Sequence, residues 1–272
     1  MKIRHRSWLA AALLIGCSST GVGNPGIGQA DQRLIDDGTD ALDAGDTASS
    51  LNSLATLALR DSAPFVDEET VAALVEERTP LYFEPAGCLV TARDAASVTF
   101  TFEGCRTGAF GLVELNGEMV ATYAIDESSV SISLATSPEL EVGGTRILLE
   151  SENLLTTSGS SSTWVGNGRY QAMRPLRPDI DHTSTYQATY ESNTQCLQLD
   201  GTATTRFDGD AGVETSLSDY LRCGPQGTCP TSGELILTRL PARDRTLTLQ
   251  FDDDSTAWVP ELEANAQLDC RD

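Results

Sequence analysis

The chain has two histidines, His5 and His182, and a single lysine, Lys2. That scarcity restricts the chemistry at once. No lysine is left in the body for a Schiff base or a phosphate-binding loop, and a three-histidine zinc site is impossible. His182 lies in Asp179-Ile-Asp-His-Thr-Ser-Thr185, beside Asp181 and two residues from Ser184. Those are the residue types of a Ser-His-Asp hydrolase. However, no serine sits in Gly-x-Ser-x-Gly, and Ser158 to Ser162 reads as a polar loop rather than a strained strand-to-helix elbow. The stretch Met173-Arg-Pro-Leu-Arg-Pro178 also reads as loop, which makes His182 a solvent-exposed loop histidine. Paired carboxylates are the second option, since two of them can run glycoside hydrolysis. Among 40 acidic residues, spacing alone picks out no pair. Sugar sites also want aromatic platforms. Beyond Trp8 only Trp164 and Trp258 are available, both in strand-like runs where a core role is the ordinary one.

Metal binding finds no pattern. The aspartates between Asp31 and Asp46 lack the Asp-x-Asp-x-Asp-Gly order of a calcium loop. Asp208-Gly-Asp-Ala-Gly212 departs from it as well. Asp252-Asp253-Asp254 follows Phe251 as a solvated hairpin end, or less simply as a cation site. There is no Cys-x-x-Cys, the tightest cysteine spacing being Cys223 to Cys229. No catalytic residue, cofactor site or metal ligand is therefore predicted.

Seven cysteines leave one without a partner in the same molecule. The odd one is Cys17. Lys2, Arg4 and Arg6 open the chain, the apolar run Trp8 to Ile15 follows, and Gly16 precedes the cysteine. Eight apolar residues reach about 12 Å as helix, far short of a bilayer core of about 30 Å, so this is an export signal and not a span. The boundary Leu14-Ile15-Gly16-Cys17 resembles the lipobox of bacterial lipoproteins. That resemblance covers residues 1 to 17. It implies cleavage after Gly16 and acyl chains on Cys17, and two or three such chains anchor stably where one does not. Ser18, in place of an Asp, leans towards the outer membrane. Loss of residues 1 to 16 removes three basic residues and no acidic one, taking the net charge from −22 to −25. Such a surface repels nucleic-acid phosphates and anionic headgroups.

The other six cysteines form an even set, which in an exported chain reads as three disulfides. Fifteen connectivities are open. Two alternatives stand: Cys88–Cys105, Cys196–Cys223 and Cys229–Cys270 if each bridge fastens a hairpin or meander end, or Cys223–Cys229 with Cys196–Cys270.

Residues 17–49 are rich in Gly, Asp, Ser and Thr and read as a flexible acidic tether, with room for a short helix around Gln32 to Leu42. A helical segment follows over 50–79. Leu51, Leu54, Leu57 and Leu59 approach helical spacing, while Asp67 is an N-cap for Val71, Leu74 and Val75, and Pro80 ends that helix. From residue 80 to 272 the period becomes two. Val98–Phe102, Val130–Leu134 and Thr246–Phe251 alternate cleanly, and further β-rich runs are Leu112–Tyr123, Gly144–Leu149, Thr163–Met173, Ser184–Tyr190, Cys196–Phe207, Val213–Leu221 and Glu234–Leu240. Asn116-Gly117 and Asn167-Gly168 are either type I′ hairpin turns or bulges within longer strands. Gly117-Glu-Met-Val-Ala-Thr122 echoes Gly233-Glu-Leu-Ile-Leu-Thr238, which suggests two related units, 85–155 and 156–272.

The expected fold class is mainly β: an antiparallel meander, sandwich-like or barrel-like sheet of two related units with a short N-terminal helical segment. Phe83-Glu-Pro-Ala-Gly-Cys88, Phe102-Glu-Gly-Cys105 and Cys229-Pro-Thr-Ser-Gly233 give the body a loose resemblance to cysteine-containing β-rich lipoproteins of large-genome Gram-negative bacteria. That likeness implies an address and no activity. The expected role is a non-enzymatic, lipid-anchored envelope protein, outer-membrane and periplasm- or surface-facing. Its partners would be the membrane, through Cys17, and an envelope or extracellular macromolecule. The alternative is an extracytoplasmic hydrolase using carboxylates, or Ser184 with His182.

Overall fold

From Leu89 onward the alternating pattern folds into one antiparallel meander. The computed structural model describes residues 27–56, 58–59, 67–106, 114–126, 129–174, 178–207, 209–223, 230–252 and 256–267. The strands are β1 (Leu89–Asp94), β2 (Ser97–Arg106), β3 (Glu114–Asp126), β4 (Ser129–Thr136), β5 (Glu141–Val142), β6 (Thr145–Ser158) and β7 (Ser161–Met173). They continue as β8 (Ile180–Glu191), β9 (Cys196–Phe207), β10 (Gly212–Cys223), β11 (Ser232–Leu240), β12 (Thr246–Phe251), β13 (Thr256–Val259) and β14 (Ala264–Gln267). Each pairs with its sequence neighbour in a 14-stranded sheet, except that two-residue β5 sits beside β3 and β6 while β4 pairs directly with β6. The protein is mainly β and antiparallel, as the period-two pattern requires.

Two helices cover the inner face. The shorter, α2 (Glu68–Arg78), starts where expected: Asp67 Oδ1 accepts the Thr70 backbone N–H at 2.7 Å, and Val71, Ala72 and Val75 are buried against β1 to β3. The longer, α1 (Gln29–Leu54), crosses β6 to β11. Its 26 residues reach about 39 Å, enough to span the sheet's middle. Tyr123 Oη, fully buried, donates to the Ala55 carbonyl at 2.9 Å and satisfies an otherwise orphaned acceptor at the helix end.

Two apolar clusters form under these helices. One joins the C-terminal half of α1 (Ala48, Leu51, Leu54) and α2 to Phe100, Phe102, Met119, Tyr123, Ile132 and Leu149. The other joins Leu34, Ile35 and Ala41 to Leu199, Val213, Tyr220, Leu237, Leu247 and Phe251. Trp164 and Phe207 pack against both.

Several expectations are corrected. Residues 29–49 are helix packed on the sheet and not a tether. The predicted helical segment from residue 50 comprises the last part of α1 and, from Glu68, α2. The local aspartate repulsion that suggested a tether is relieved by arginines far along the chain. Arg245 Nε meets Asp31 Oδ1 at 2.6 Å, and Arg174 Nη1 meets Asp40 Oδ2 at 3.3 Å. Asn116-Gly117 and Asn167-Gly168 lie inside β3 and β7, so neither is a hairpin turn. Gly117 has φ of 109° opposite a register shift in β2, and Gly233 has φ of 123° beside a shift in β10. The two echoing segments thus share a bulge-and-glycine device. Ser158 to Ser162 forms the β6–β7 hairpin end.

Cys88–Cys105 and Cys196–Cys223 are disulfides. The first ties the start of β1 to the end of β2. The second joins directly paired residues at the open end of the β9–β10 hairpin. Cys196–Cys223 excludes the alternative pairing of those two cysteines with Cys270 and Cys229. Cys17, Cys229 and Cys270 lie outside the described residues. The sequence separations of 17 and 27 correspond to about 3 and 3.5 kcal/mol of loop entropy. For a domain of this size, reductant is expected to lower the thermal midpoint by more than about 10 °C. Calorimetry with and without dithiothreitol checks this, and an unchanged midpoint would show that the bridges do not stabilise the fold.

Candidate functional site

The inward positions of the middle strands are not the large aliphatics found to either side. They are Ser151 and Asn153 on β6, Gly166 and Gly168 on β7, His182, Ser184 and Tyr186 on β8, Gly201, Ala203 and Thr205 on β9, and Thr215 on β10. A glycine inside a strand marks a place where another group comes close. Here that group is a neighbouring side chain or the helix. A Cβ on Gly166 would stand 2.4 Å from Asn153 Oδ1 and 2.8 Å from the Tyr186 ring.

Buried polar groups must find partners, and most here do. Tyr186 Oη donates to Asn153 Oδ1 at 2.6 Å, Asn153 Nδ2 donates to Ser151 Oγ at 3.2 Å, and Ser151 Oγ donates to Asn52 Oδ1 of α1 at 2.5 Å. This chain of bonds pins the helix to two strands, β6 and β8. Burial pushes the Tyr186 phenol up to about 12, so it remains a neutral donor.

His182 is the most altered group of this seam. It lies in β8 and not in a loop, and only 2% of it is exposed. Its Nδ1 is 2.8 Å from Thr205 Oγ1, and its Nε2 has no hydrogen-bond partner among the described residues. Burial pulls its pKa down to about 4, against a smaller upward pull from Asp181. The imidazole is therefore neutral at ordinary pH.

The structure takes the Ser-His-Asp arrangement apart. Alternation along β8 turns Asp181 to the outer face, where Arg169 grips both carboxylate oxygens at 3.1 and 2.7 Å and holds the carboxyl below its usual range. His182 and Ser184 do share the inner face, but Thr205 holds Nδ1 where a triad places a carboxylate. Among the described residues no carboxylate is hydrogen-bonded to His182 to serve an imidazolium as counter-ion. The carboxylate alternative finds no pair in either depression described. A cleft of about 80 Å³ lies between α1 and β8 to β11, and among the described residues no charged side chain lines it. A shallow saddle of about 400 Å³ on the outer face is lined by hydroxyls, including Thr183, Thr185, Thr202 and Thr204, with one carboxylate, Glu214, which is paired with Arg243.

The remaining candidates fall as follows. Trp164 is partly buried between the two clusters, whereas Trp258 is 41% exposed on β13 and is not core. Asp252 is exposed, and Asp208, Asp253 and Asp254 lie outside the described residues. Among the described residues no three His, Cys, Asp or Glu side chains are grouped to hold a metal. Asn52, Asn153 and Tyr186 were not singled out from sequence. The inward glycines of β7 and β9 were the available signal for this polar seam. No family model, curated protein or solved structure matches the chain.

Two predictions follow from the seam's energetics. Folded His182 titrates near 4 and an unfolded histidine near 6.5, so between those values the unfolded chain binds more protons. Stability should then be full above pH 6.5 and fall as pH drops towards 4, by about 3 kcal/mol from this group. Urea melts of wild type and His182→Leu at pH 7.5 and 5 check it, the variant lacking this share of the slope. Gly166→Ala should break the Tyr186–Asn153 bond and crowd the sheet, with a loss of about 2–3 kcal/mol by the same melts.

Proposed function

We propose that this chain is an exported, lipid-anchored cell-envelope protein with a structural or binding role, held to the membrane through acylated Cys17. The observation that carries the reading is the division of its cysteines. Cys88–Cys105 and Cys196–Cys223 are bridged, and such disulfides belong to oxidising compartments outside the cytoplasm. Cys17 stands at the lipobox-like end of a basic and then apolar leader. The strongly acidic composition supports a partner that is neither nucleic acid nor an anionic lipid surface. A sheet whose inner face is filled by two helices supports a scaffold or a binding surface over a large open substrate channel.

The helix shortens the anchor. Cys17 precedes Gln29 by twelve residues, which extend at most about 43 Å. Asp31 is clasped by Arg245, just ahead of β12, so on this reading the β11–β12 end of the sheet faces the membrane. Among the described residues no helix is long and apolar enough to cross a membrane, so on this reading the acyl chains carry the attachment.

Membrane fractionation and intact-mass analysis in a Gram-negative host test the proposal. Wild type should sediment with membranes and carry acyl mass on a chain beginning at Cys17, while Cys17→Ala should appear unacylated in the soluble fraction. A wild-type chain that is soluble with a free Cys17 would sink it.

A further inference from the structure

The outer face of β8 to β12, turned away from the helices, carries two ordered rows of small side chains. Cross-strand register sets one row as Thr185, Thr202, Ser216, Ile236 and Thr248, each directly opposite the next. Two residues along each strand runs the second, Thr183, Thr204, Glu214, Thr238 and Thr246. All but Ile236 and Glu214 end in a hydroxyl. Neighbours within a row stand about 4.8 Å apart, and the rows are separated by about 6.6 Å. The twist of the sheet bends them into the saddle of about 400 Å³, a volume within the range of ligand sites.

Hydrogen-bonding capacity is left over on this surface. Thr185 Oγ1 lies 3.1 Å from Thr202 Oγ1, and Thr238 Oγ1 lies 3.2 Å from Thr246 Oγ1. Each such pair uses one hydroxyl proton and leaves the other to donate outward. Thr183, Thr204 and Ser216 make no side-chain hydrogen bond among the described residues.

The charges around the rows exclude an anion. Along one border the cations are matched, Arg169 by Asp181, Arg206 by Asp210 and Arg243 by Glu214. Beyond the other border lie Asp200, which accepts the Asp219 backbone N–H at 2.8 Å, and Glu234, which accepts from Gln250 Nε2 at 3.4 Å. Each carboxylate keeps lone pairs for further donors, and its charge turns anions away. A peptide strand finds no purchase here, because the backbone groups of β8 to β11 are engaged in the ladder on both sides.

One large apolar group completes the surface. Trp258, on β13, is 41% exposed and lies directly opposite Gln250, whose side chain shares the outer face with Thr248. An indole held open beside hydroxyls and carboxylates is a platform for the C–H face of a sugar ring, and Ile236 gives a second, smaller apolar contact within the rows. The repeat of an extended glycan is close to the strand spacing, so successive rings meet successive strands.

We propose that the outer face of β8 to β13 binds a neutral glycan chain, its hydroxyls bonded along the threonine rows and one ring stacked on Trp258. This assigns a ligand class to the binding role proposed above and rests on that role, though not on the anchor.

The test is isothermal titration calorimetry on the full chain, in a detergent without a sugar headgroup. The probes are the neutral hexasaccharides of cellulose, laminarin, maltose and chitin type, with hexagalacturonate as an anionic chain of equal length. At least one neutral hexasaccharide should give saturable heat, half-saturating in roughly the 0.1–1 mM range. Hexagalacturonate should bind at least about tenfold more weakly. Trp258→Ala, an exposed position, should weaken the neutral glycan at least about tenfold. Thr185→Val with Thr202→Val keeps shape and β-branching while removing two hydroxyls, and should weaken it at least about threefold. No saturable heat with any neutral hexasaccharide, equal binding of hexagalacturonate, or wild-type affinity in Trp258→Ala would each overturn the proposal. A chain that binds the glycan but carries no acyl mass would sink the anchor alone.

Discussion

The close seating of α1 on the middle strands is the constraint on which the other features depend. A helix of 26 residues laid across β6 to β11 cannot meet large side chains along its whole length and still touch the sheet at both ends. Under its centre the inward positions are therefore mostly glycine, alanine, serine and threonine, joined by Asn153, His182 and Tyr186, and most large apolar residues gather in two clusters on either side. Gly38 repeats the theme nearer the helix's start, where a Cβ would press within 2.7 Å of Leu237. What the centre lacks in apolar burial it regains in hydrogen bonds, and a satisfied buried network fixes register in a way that interchangeable leucines do not. Asn52, Ser151, Asn153 and Tyr186 define one position of the helix on the sheet. The cleft beside His182 is the stretch of the same seam where this filling is incomplete.

The helix itself is a poor one in isolation. It holds Gly38 and Gly45, each costing about 1 kcal/mol relative to alanine, and six aspartates. It forms because the sheet supplies what the segment lacks. Leu34, Ile35, Leu51 and Leu54 are buried in the two clusters, and Asp31 and Asp40 meet Arg245 and Arg174. Asp37 bears the cost of this crowding: burial, with Asp40 next, raises its carboxyl above the ordinary range. Some of the chain's acidity thus lies at an internal boundary.

The strands were legible because they are long and alternate. Phe100 and Phe102, Ile132 and Leu134, and Leu247 and Leu249 each point inward with polar neighbours pointing out. Both described disulfides were legible because each closes a hairpin whose strands were visible. Beyond the short helix expected around Gln32 to Leu42, α1 was not, since the side it turns to the sheet's centre reads Ala41, Gly45, Ser49 and Asn52, the composition of a loop. The polar seam escaped notice for the same reason: SSTWVGNGRY and LDGTATT carry glycines and hydroxyls on the inner face, so the usual apolar marker of a buried side is missing. His182 was misplaced because two prolines just upstream suggested a loop that ends sooner than expected. Its burial follows from tertiary packing between elements more than a hundred residues apart, which no local pattern reports.

Because the meander joins each strand to the next, the described thiols never have to choose. On the proposal that the chain is exported, Cys88 is followed by Cys105, seventeen residues on, before Cys196 arrives to compete. Cys223 is likewise the next of the four to arrive after Cys196. Oxidation of these four in simple order of arrival would then give the observed pairing.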